Sequence, residues 1–370
     1  MTLYSIPAFS ALPDEAAAIG EIRRRLEDEG IQALLCFVST NYDLDRIATA
    51  LRYSFSIPVV GCTTAGHIGP GGYLRKGIQA VAICGSSVSV ALEPIHPLAQ
   101  CQTIVARLGN RIEQRPAKAG FRRFGLLLVD GLARMEERLA ASLHHCLPEI
   151  PLIGGSAGDD LAFKSTFVYA DGRFISDAAV LAIFETSYPF TAFKFQHFAP
   201  TDEILVITKA DEQTRTVFEI NGEPAALHYA LRLNLSVEEL SPEIFSKYPV
   251  MLRLGSEYYV RSIQHANDDL SLTFYCAIAK GIVLRLGQAV SPLETVRNAL
   301  AEVRRTVPNP SLIIGCDCIL RRLEFEQLGL AQAVGELLAR NKVIGFSTYG
   351  EQFNALHMNQ TFTGLALGGD

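Results

Sequence analysis

Residues 150–160 read IPLIGGSAGDD, and the phrase returns in altered form as IPVVGCTTAGH at 57–67 and KVIGFSTYGE at 342–351. Each is a short apolar run that stops on a glycine loop. Working outward, each is preceded by a second apolar run and a helical stretch: ALLCFVST (33–40) and LDRIATALRYSF (44–55), FGLLLVDG (124–131) and ARMEERLAASLHHCL (133–147), SLIIGCDC (311–318) and FEQLGLAQAVGELLAR (325–340). Apolar residues recur at helical spacing in all three: Leu44, Ile47, Leu51 and Phe55; Leu132, Met135, Leu139 and Leu143; Phe325, Leu328, Ala331, Val334 and Leu338. The spacing predicts one one-sided helix per copy. The flanking runs are continuous and rich in Val, Ile and Leu, as parallel strands covered on both faces require, so each copy is a right-handed βαβ unit ending in a glycine loop.

Further strand-like runs follow each loop: IQAVAICG and VSVALEP, then STFVYADGRFISDAAVLAIFE, then QTFTGLALGG. Asp171-Gly172 supplies a hairpin turn in the second. The fold class is therefore α/β, with repeated βαβ modules, antiparallel extensions and two sheet-based domains. The pattern changes near 200–220, which divides the chain into residues 1–210, with two repeats, and 211–370, with the third. Between the repeats a short helix opens at Pro224, a hairpin turns at Asn267-Asp268-Asp269, and Ser291-Pro292-Leu293-Glu294 fits a capping box.

The chain is 370 residues long and 49% hydrophobic, with a formal charge of −6. No uncharged apolar run approaches the ~18–20 residues of a membrane span, and no basic, then apolar leader opens the sequence. Membrane insertion and secretion are not expected. Eight scattered cysteines suit a reducing cytoplasm, and the acidic balance argues against nucleic acid.

Ligands in open parallel sheets bind beyond the carboxyl ends of the strands. That places candidate ligand contacts at Gly61, Thr63, Thr64 and His67, at Gly154, Gly155, Ser156 and Asp159, and at Tyr349, Gly350 and Glu351, with His357 and Asn359 just beyond. No phosphate-loop, dinucleotide or G-x-S-x-G motif is present. Cys316-Asp317-Cys318 lacks further metal ligands at zinc spacing, and His144-His145 falls late in a helix. An enzyme would have to use Asp159, Asp160 or Cys62. The expectation is a protein without its own catalytic centre.

Together, Ile57 to Gly66, Pro151 to Asp160, Asp317 to Arg321, Tyr349-Gly350-Glu351 and His357-Met358-Asn359-Gln360-Thr361 resemble the FIST family of sensory proteins, across nearly the whole chain. The resemblance implies small-ligand sensing upstream of a histidine kinase, a chemoreceptor or a cyclic-dinucleotide enzyme, with amino acids among the proposed ligands. With no output domain following the pair, the signal is expected to pass to a separate partner, and self-association stays open. The chain is also similar to a subgroup that binds haem and senses nitric oxide. A haem b here would be held non-covalently, since C-x-x-C-H is absent, with His357 as first candidate axial ligand. The alternative is a receptor for an amino acid or similar polar molecule, held by Thr63, Asp159 and Glu351.

Overall fold

The computed structural model describes residues 2–27 and 30–368. Its architecture is mixed α/β, and the three βαβ units build three six-stranded sheets of one design. In each sheet an edge strand pairs antiparallel with a second strand, which pairs antiparallel with the first strand of the parallel couple. The first sheet runs Tyr4–Ser10, Ile78–Cys84, Ile31–Ser39, Val59–Thr64. The second runs Val88–Ile95, Ala179–Thr186, Arg122–Val129, Leu152–Ser156. The third runs Phe190–Phe195, Phe362–Leu367, Leu312–Cys318, Val343–Thr348. The expected parallel couples and antiparallel extensions are thus all present.

Each sheet is completed by a hairpin belonging to another module, which the repeat did not foretell. The hairpin after the first glycine loop, His67–Gly69 with Gly72–Leu74, joins the third sheet. The hairpin after the second loop, Val168–Ala170 with Arg173–Ile175, joins the first sheet. The hairpin after the third, Glu351–Phe353 with Leu356–Met358, joins the second. This cyclic exchange binds the three modules into one body with approximate threefold symmetry.

The inner faces of the sheets share one apolar core that includes Phe37, Cys62, Leu126, Ile153, Cys316 and Phe346, with Phe37 and Phe346 stacked at 4.4 Å across two modules. Helices cover the outer faces: Glu15–Arg25 and Leu44–Ser54 on the first sheet, Cys101–Glu113 and Glu136–Cys146 on the second, Pro292–Thr306, Ile319–Gln327 and Ala331–Arg340 on the third. Two-sided burial explains the unbroken apolar runs of the parallel strands.

Local chemistry departs from expectation at three places. The third copy has two helices where one was expected. Gly329, at φ +68°, closes a Schellman motif in which Gly329 N–H donates to Glu326 O and Leu330 N–H to Phe325 O, and the chain restarts at Ala331. The second copy's helix begins at Glu136, so Leu132 lies ahead of it and packs beside Tyr349 instead. Ser291 has left-handed backbone (φ 38°) and its side chain does not cap the helix that follows. The capping box among the described residues is Ser236 with Glu239.

Between the second and third modules, residues 198–289 form a fourth, antiparallel sheet with its own apolar core around Leu205, Tyr229, Phe274 and Leu284. The hairpin at 267–269 and the helix Ala225–Arg232 behind Pro224 both lie here, as expected. The chain enters this sheet on the long strand Phe198–Asp211 and leaves it on Val283–Ala289, which pair with each other. A polar chain, buried except at its Tyr73 end, marks the entry. Tyr73 OH donates to Asp317, Arg321 Nε donates to Asp317 Oδ1 at 2.7 Å, Arg321 Nη1 meets His197 Nδ1 at 2.7 Å, and His197 Nε2 meets Glu324 Oε2 at 2.7 Å. Because a guanidinium only donates, His197 Nδ1 must accept and its Nε2–H must point at Glu324.

Candidate functional site

The glycine loops meet at the carboxyl ends of the central parallel strands, where backbone bonds close a ring. Ser347 N–H donates to Gly66 O (2.8 Å) and Ala65 N–H to Ser347 O (3.2 Å). Ser156 N–H donates to Gly350 O (2.8 Å) and Tyr349 N–H to Ser156 O (3.2 Å). Thr63 N–H donates to Phe167 O (2.9 Å) and Gly158 N–H to Thr63 O (3.1 Å). Thr63, Ser156 and Ser347 are therefore equivalent positions. So are Gly61, Gly154 and Gly345, where a β-carbon would stand 2.0, 2.2 and 1.7 Å from the carbonyl oxygens of Cys36, Leu127 and Gly315 on the neighbouring strand. These glycines let parallel strands approach, which accounts for them without a ligand. Gly155 likewise leaves room for Phe346 and Thr348.

The other expected contacts separate into two groups. Thr63 and Thr64 are buried and spend their hydroxyls on the ring: Phe167 N–H donates to Thr63 Oγ1 at 3.1 Å, and Thr64 Oγ1 donates to Gly66 O at 2.6 Å. His67 lies inside the third sheet's hairpin, bonded to Ser39 Oγ at 2.9 Å. Burial, with Arg322 nearby, lowers its pKa to about 3 and keeps it neutral. Glu351, equally buried, accepts from Thr348 Oγ1, Thr361 Oγ1 (2.7 Å) and Thr361 N–H (3.2 Å), and burial raises its pKa to about 8.

Asp159 anchors a loop that the other two modules lack. Residues 159–166 intervene between Gly158 and Phe167, whose counterparts Ala65 and Gly66 are adjacent. Asp159 Oδ1 accepts from Phe163 N–H (2.9 Å), and Oδ2 from Lys164 N–H (2.7 Å) and Ser165 N–H (3.0 Å). Tyr349 OH donates to Asp159 Oδ1 and accepts from the N–H groups of Asp159 (3.2 Å) and Leu161 (2.7 Å), and burial raises its pKa. Asp160, Leu161 and Phe163 have φ values of 56°, 65° and 50°, an unfavourable region for side-chain-bearing residues. Phe163 stacks on Tyr349 at 4.8 Å and approaches Tyr275 of the inserted sheet at 5.9 Å. The loop thus lies across the strand ends.

Beside it, at the junction with the inserted sheet, lies a buried polar shell around His357. Gln352 Nε2 reaches Ser156 Oγ and His357 Nδ1, both at 3.0 Å, and Asn359 Nδ2 donates to Tyr349 O at 3.4 Å. Arg261 Nη1 donates to His357 O at 3.1 Å. Arg215 Nη2 pairs with Glu136 and Glu137, each at 2.8 Å. Gln352 Oε1, Asn359 Oδ1 and Arg261 Nε are buried without a hydrogen-bond partner. Burial lowers the pKa of His357. Gln352, Arg261, Arg215, Glu136 and Glu137 were absent from the sequence reading. An arginine ending a strand of a separate sheet carries no motif.

His357, the candidate axial haem ligand, is buried with its ring packed beside Gly350. Its Nδ1 is engaged by Gln352, and Cε1 and Nε2 lie 2.3 and 2.8 Å from where a β-carbon on Gly350 would stand. Cys62, the remaining nucleophile candidate, is fully buried in the core and its pKa is raised by that burial, so its thiolate is disfavoured. Asp160 is exposed. Among the described residues no helix is long and apolar enough to cross a membrane, and no group of three His, Cys, Asp or Glu side chains could hold a metal ion.

An uncharacterized protein of Methanocaldococcus jannaschii, MJ1623, is 23% identical over 391 residues, covering 93% of this chain and 75% of its own length. A cyanuric acid hydrolase from A. caulinodans matches over 99% of this chain and all of its own at 8% identity, with a TM-score of 0.37, too slight a likeness to carry an argument. The FIST N domain model matches residues 32–223 and the FIST C domain model residues 225–354, which takes in all three glycine loops and the inserted sheet. The chain belongs to the FIST family, whose domains generally sense small ligands.

Proposed function

We propose that this protein is a receptor for a polar small molecule held at the junction of the threefold body and the inserted sheet, and that it passes the bound state to a separate partner such as a histidine kinase or a cyclic-dinucleotide enzyme. One observation carries the site: three buried polar atoms with unused hydrogen-bonding capacity, Gln352 Oε1, Asn359 Oδ1 and Arg261 Nε, surround one histidine where two bodies meet. An unpaired buried polar group costs ~1–3 kcal/mol, so a ligand that satisfies it gains affinity beyond its apolar contacts. The loop 159–166 lies next to the shell and is latched by Tyr349, whose carbonyl also holds Asn359. Ligand occupancy at Asn359 can therefore reach the latch and, through it, Leu161 and Phe163.

The test is a thermal-shift screen of polar metabolites against the intact chain. A specific ligand at 100 times its Kd stabilises by ~2.7 kcal/mol. The same compound should fail to stabilise Gln352→Ala and Asn359→Ala at that concentration. Hits that bind both variants as well as the parent would move the site elsewhere. The haem version is tested by reconstitution with haemin: a Soret band that shifts with nitric oxide and weakens in His357→Ala would support it, with the ring nitrogen that Gln352 does not engage, Nε2, as the axial ligand.

A further inference from the structure

The chain crosses into the inserted sheet at His197 and out of it at Val290, and the two residues meet. Val290 N–H donates to His197 O at 2.8 Å, ahead of the paired residues Phe198 with Ala289 and Ala199 with Gln288. Ser291, next on the way out, has the left-handed backbone (φ 38°) that is unfavourable for a residue with a side chain. The crossing is a neck of two strands. The imidazole of His197, fully buried, ties this neck to the helix Ile319–Gln327 at both ring nitrogens.

Those two bonds admit one protonation state. Arg321 Nη1 stands 2.7 Å from Nδ1 and has hydrogens but no lone pair, so Nδ1 is bare and the ring hydrogen lies on Nε2, 2.7 Å from Glu324 Oε2. Arg321 is held in place in turn by Asp317, which also accepts from Tyr73 OH. The charged and titratable groups facing the ring are thus Arg321 and Glu324 from the helix, with Asp317 of the strand Leu312–Cys318 and Tyr73 of the first module's hairpin behind Arg321. Phe198 and Phe325 flank the ring at 4.4 and 5.6 Å, and the exit strand brings the Val290 amide to its backbone.

A proton added at Nδ1 would set N–H against N–H and bring two cations into contact where the dielectric is low. Burial, and after it Arg321, hold the ring below its ordinary pKa of 6.5 against the pull of Glu324. A ring released from the helix regains its ordinary value, so the pinned neck is favoured above that pH and loses the advantage as pH falls below it.

We propose that His197 is an acid-sensitive pin: its protonation breaks the bond to Arg321 and loosens the neck through which the inserted sheet joins the threefold body. Elsewhere the insert is held by other residues, Arg215 with Glu136 and Glu137 and Arg261 with His357 O, so the loosening is local to the neck.

Amide hydrogen exchange of the intact chain at pH 7.5 and pH 5, expressed as protection factors, tests this. Peptides covering 196–201 and 286–291 are expected to lose about tenfold in protection at pH 5, while 152–156 and 250–254 keep theirs. In His197→Gln the amide oxygen accepts from Arg321 and the amide N–H reaches Glu324, with no proton to gain, so the acid loss should vanish. His67→Gln should retain it, since His67 is lowered to about 3 and stays neutral at pH 5. Should His197→Gln not fold, nitrogen-15 NMR of the labelled parent takes its place: His197 is expected as the Nε2–H tautomer at pH 7.5 and to titrate in step with the loss at Val290. Unchanged protection at pH 5, or an equal loss in every peptide, overturns the pin. So does an acid loss that persists in His197→Gln, or a neck that loosens while the His197 ring stays neutral, because the titrating group is then another.

Discussion

The first and second glycine loops leave equivalent strands and do different things. After Thr63 the chain passes from Ala65 to Gly66 without interruption and enters its hairpin. After Ser156 it passes Gly158 and inserts residues 159–166 before rejoining the same path at Phe167. The strand, its glycine and the ring of backbone bonds are shared. The insert, held by Asp159 and Tyr349, is not. The repeat therefore builds the platform, and the break in the repeat marks what covers it.

Substitution at the shared glycine should have the largest effect. In Gly154→Ala the new β-carbon meets Leu127 O, a backbone atom that cannot rotate away, at 2.2 Å. Denaturant unfolding is expected to show a loss of ~3 kcal/mol or more, and a loss under ~1 kcal/mol would mean the parallel strands are less tightly fixed than they look.

The residue opposite the core position distinguishes the loops by pH. His67 faces Phe346, Val168 faces Cys62 and Glu351 faces Gly155 at the same place in each sheet. Glu351, ordinarily near 4.5 and raised to about 8, holds a proton in the native state that the unfolded chain lacks across that window, so its contribution makes stability fall as pH rises from about 5 to 8. His67, ordinarily near 6.5 and lowered to about 3, makes stability fall as pH drops through that lower window. Thermal unfolding against pH should lose its alkaline-side slope in Glu351→Gln and its acid-side slope in His67→Gln. Unchanged profiles would show that neither group titrates differently on folding.

Tyr349→Phe acts only on the insert. It removes one donor and leaves the Asp159 and Leu161 amides without their acceptor, a loss of ~1–2 kcal/mol. Hydrogen exchange should quicken at 159–166 and stay unchanged at 63–67. A uniform rise across the chain would deny the loop its independence. Deleting 159–166, so that Phe167 follows Gly158 as Gly66 follows Ala65, should give the smallest change in circular dichroism. It is also expected to uncover Tyr349 and Tyr275 and raise dye binding to exposed apolar surface. Failure to fold would show that the insert is part of the core.

Much of the platform was legible because parallel strands buried on both faces must be apolar without alternation, and because three copies of one pattern share loop positions. The strand ends, the glycines and Asp159 followed from that. Gln352 and Arg261 did not. Gln352 sits in a hairpin whose only signal is that it follows a loop, and Arg261 lies 91 residues upstream of it in a different sheet. Helix ends were less legible: Gly329 is a local stop signal that the apolar spacing of 325–338 masked, and nothing local announced the left-handed backbone of Ser291.

The sequence by itself determined three βαβ units with antiparallel extensions, since residue periodicity and turn chemistry are local and each copy restates them. Only the tertiary structure decided that each hairpin completes another module's sheet, that His357 turns inward against Gly350, and that an arginine from the inserted sheet joins two amides there. Those outcomes depend on which distant surfaces bury one another, and burial is a property of the assembled chain.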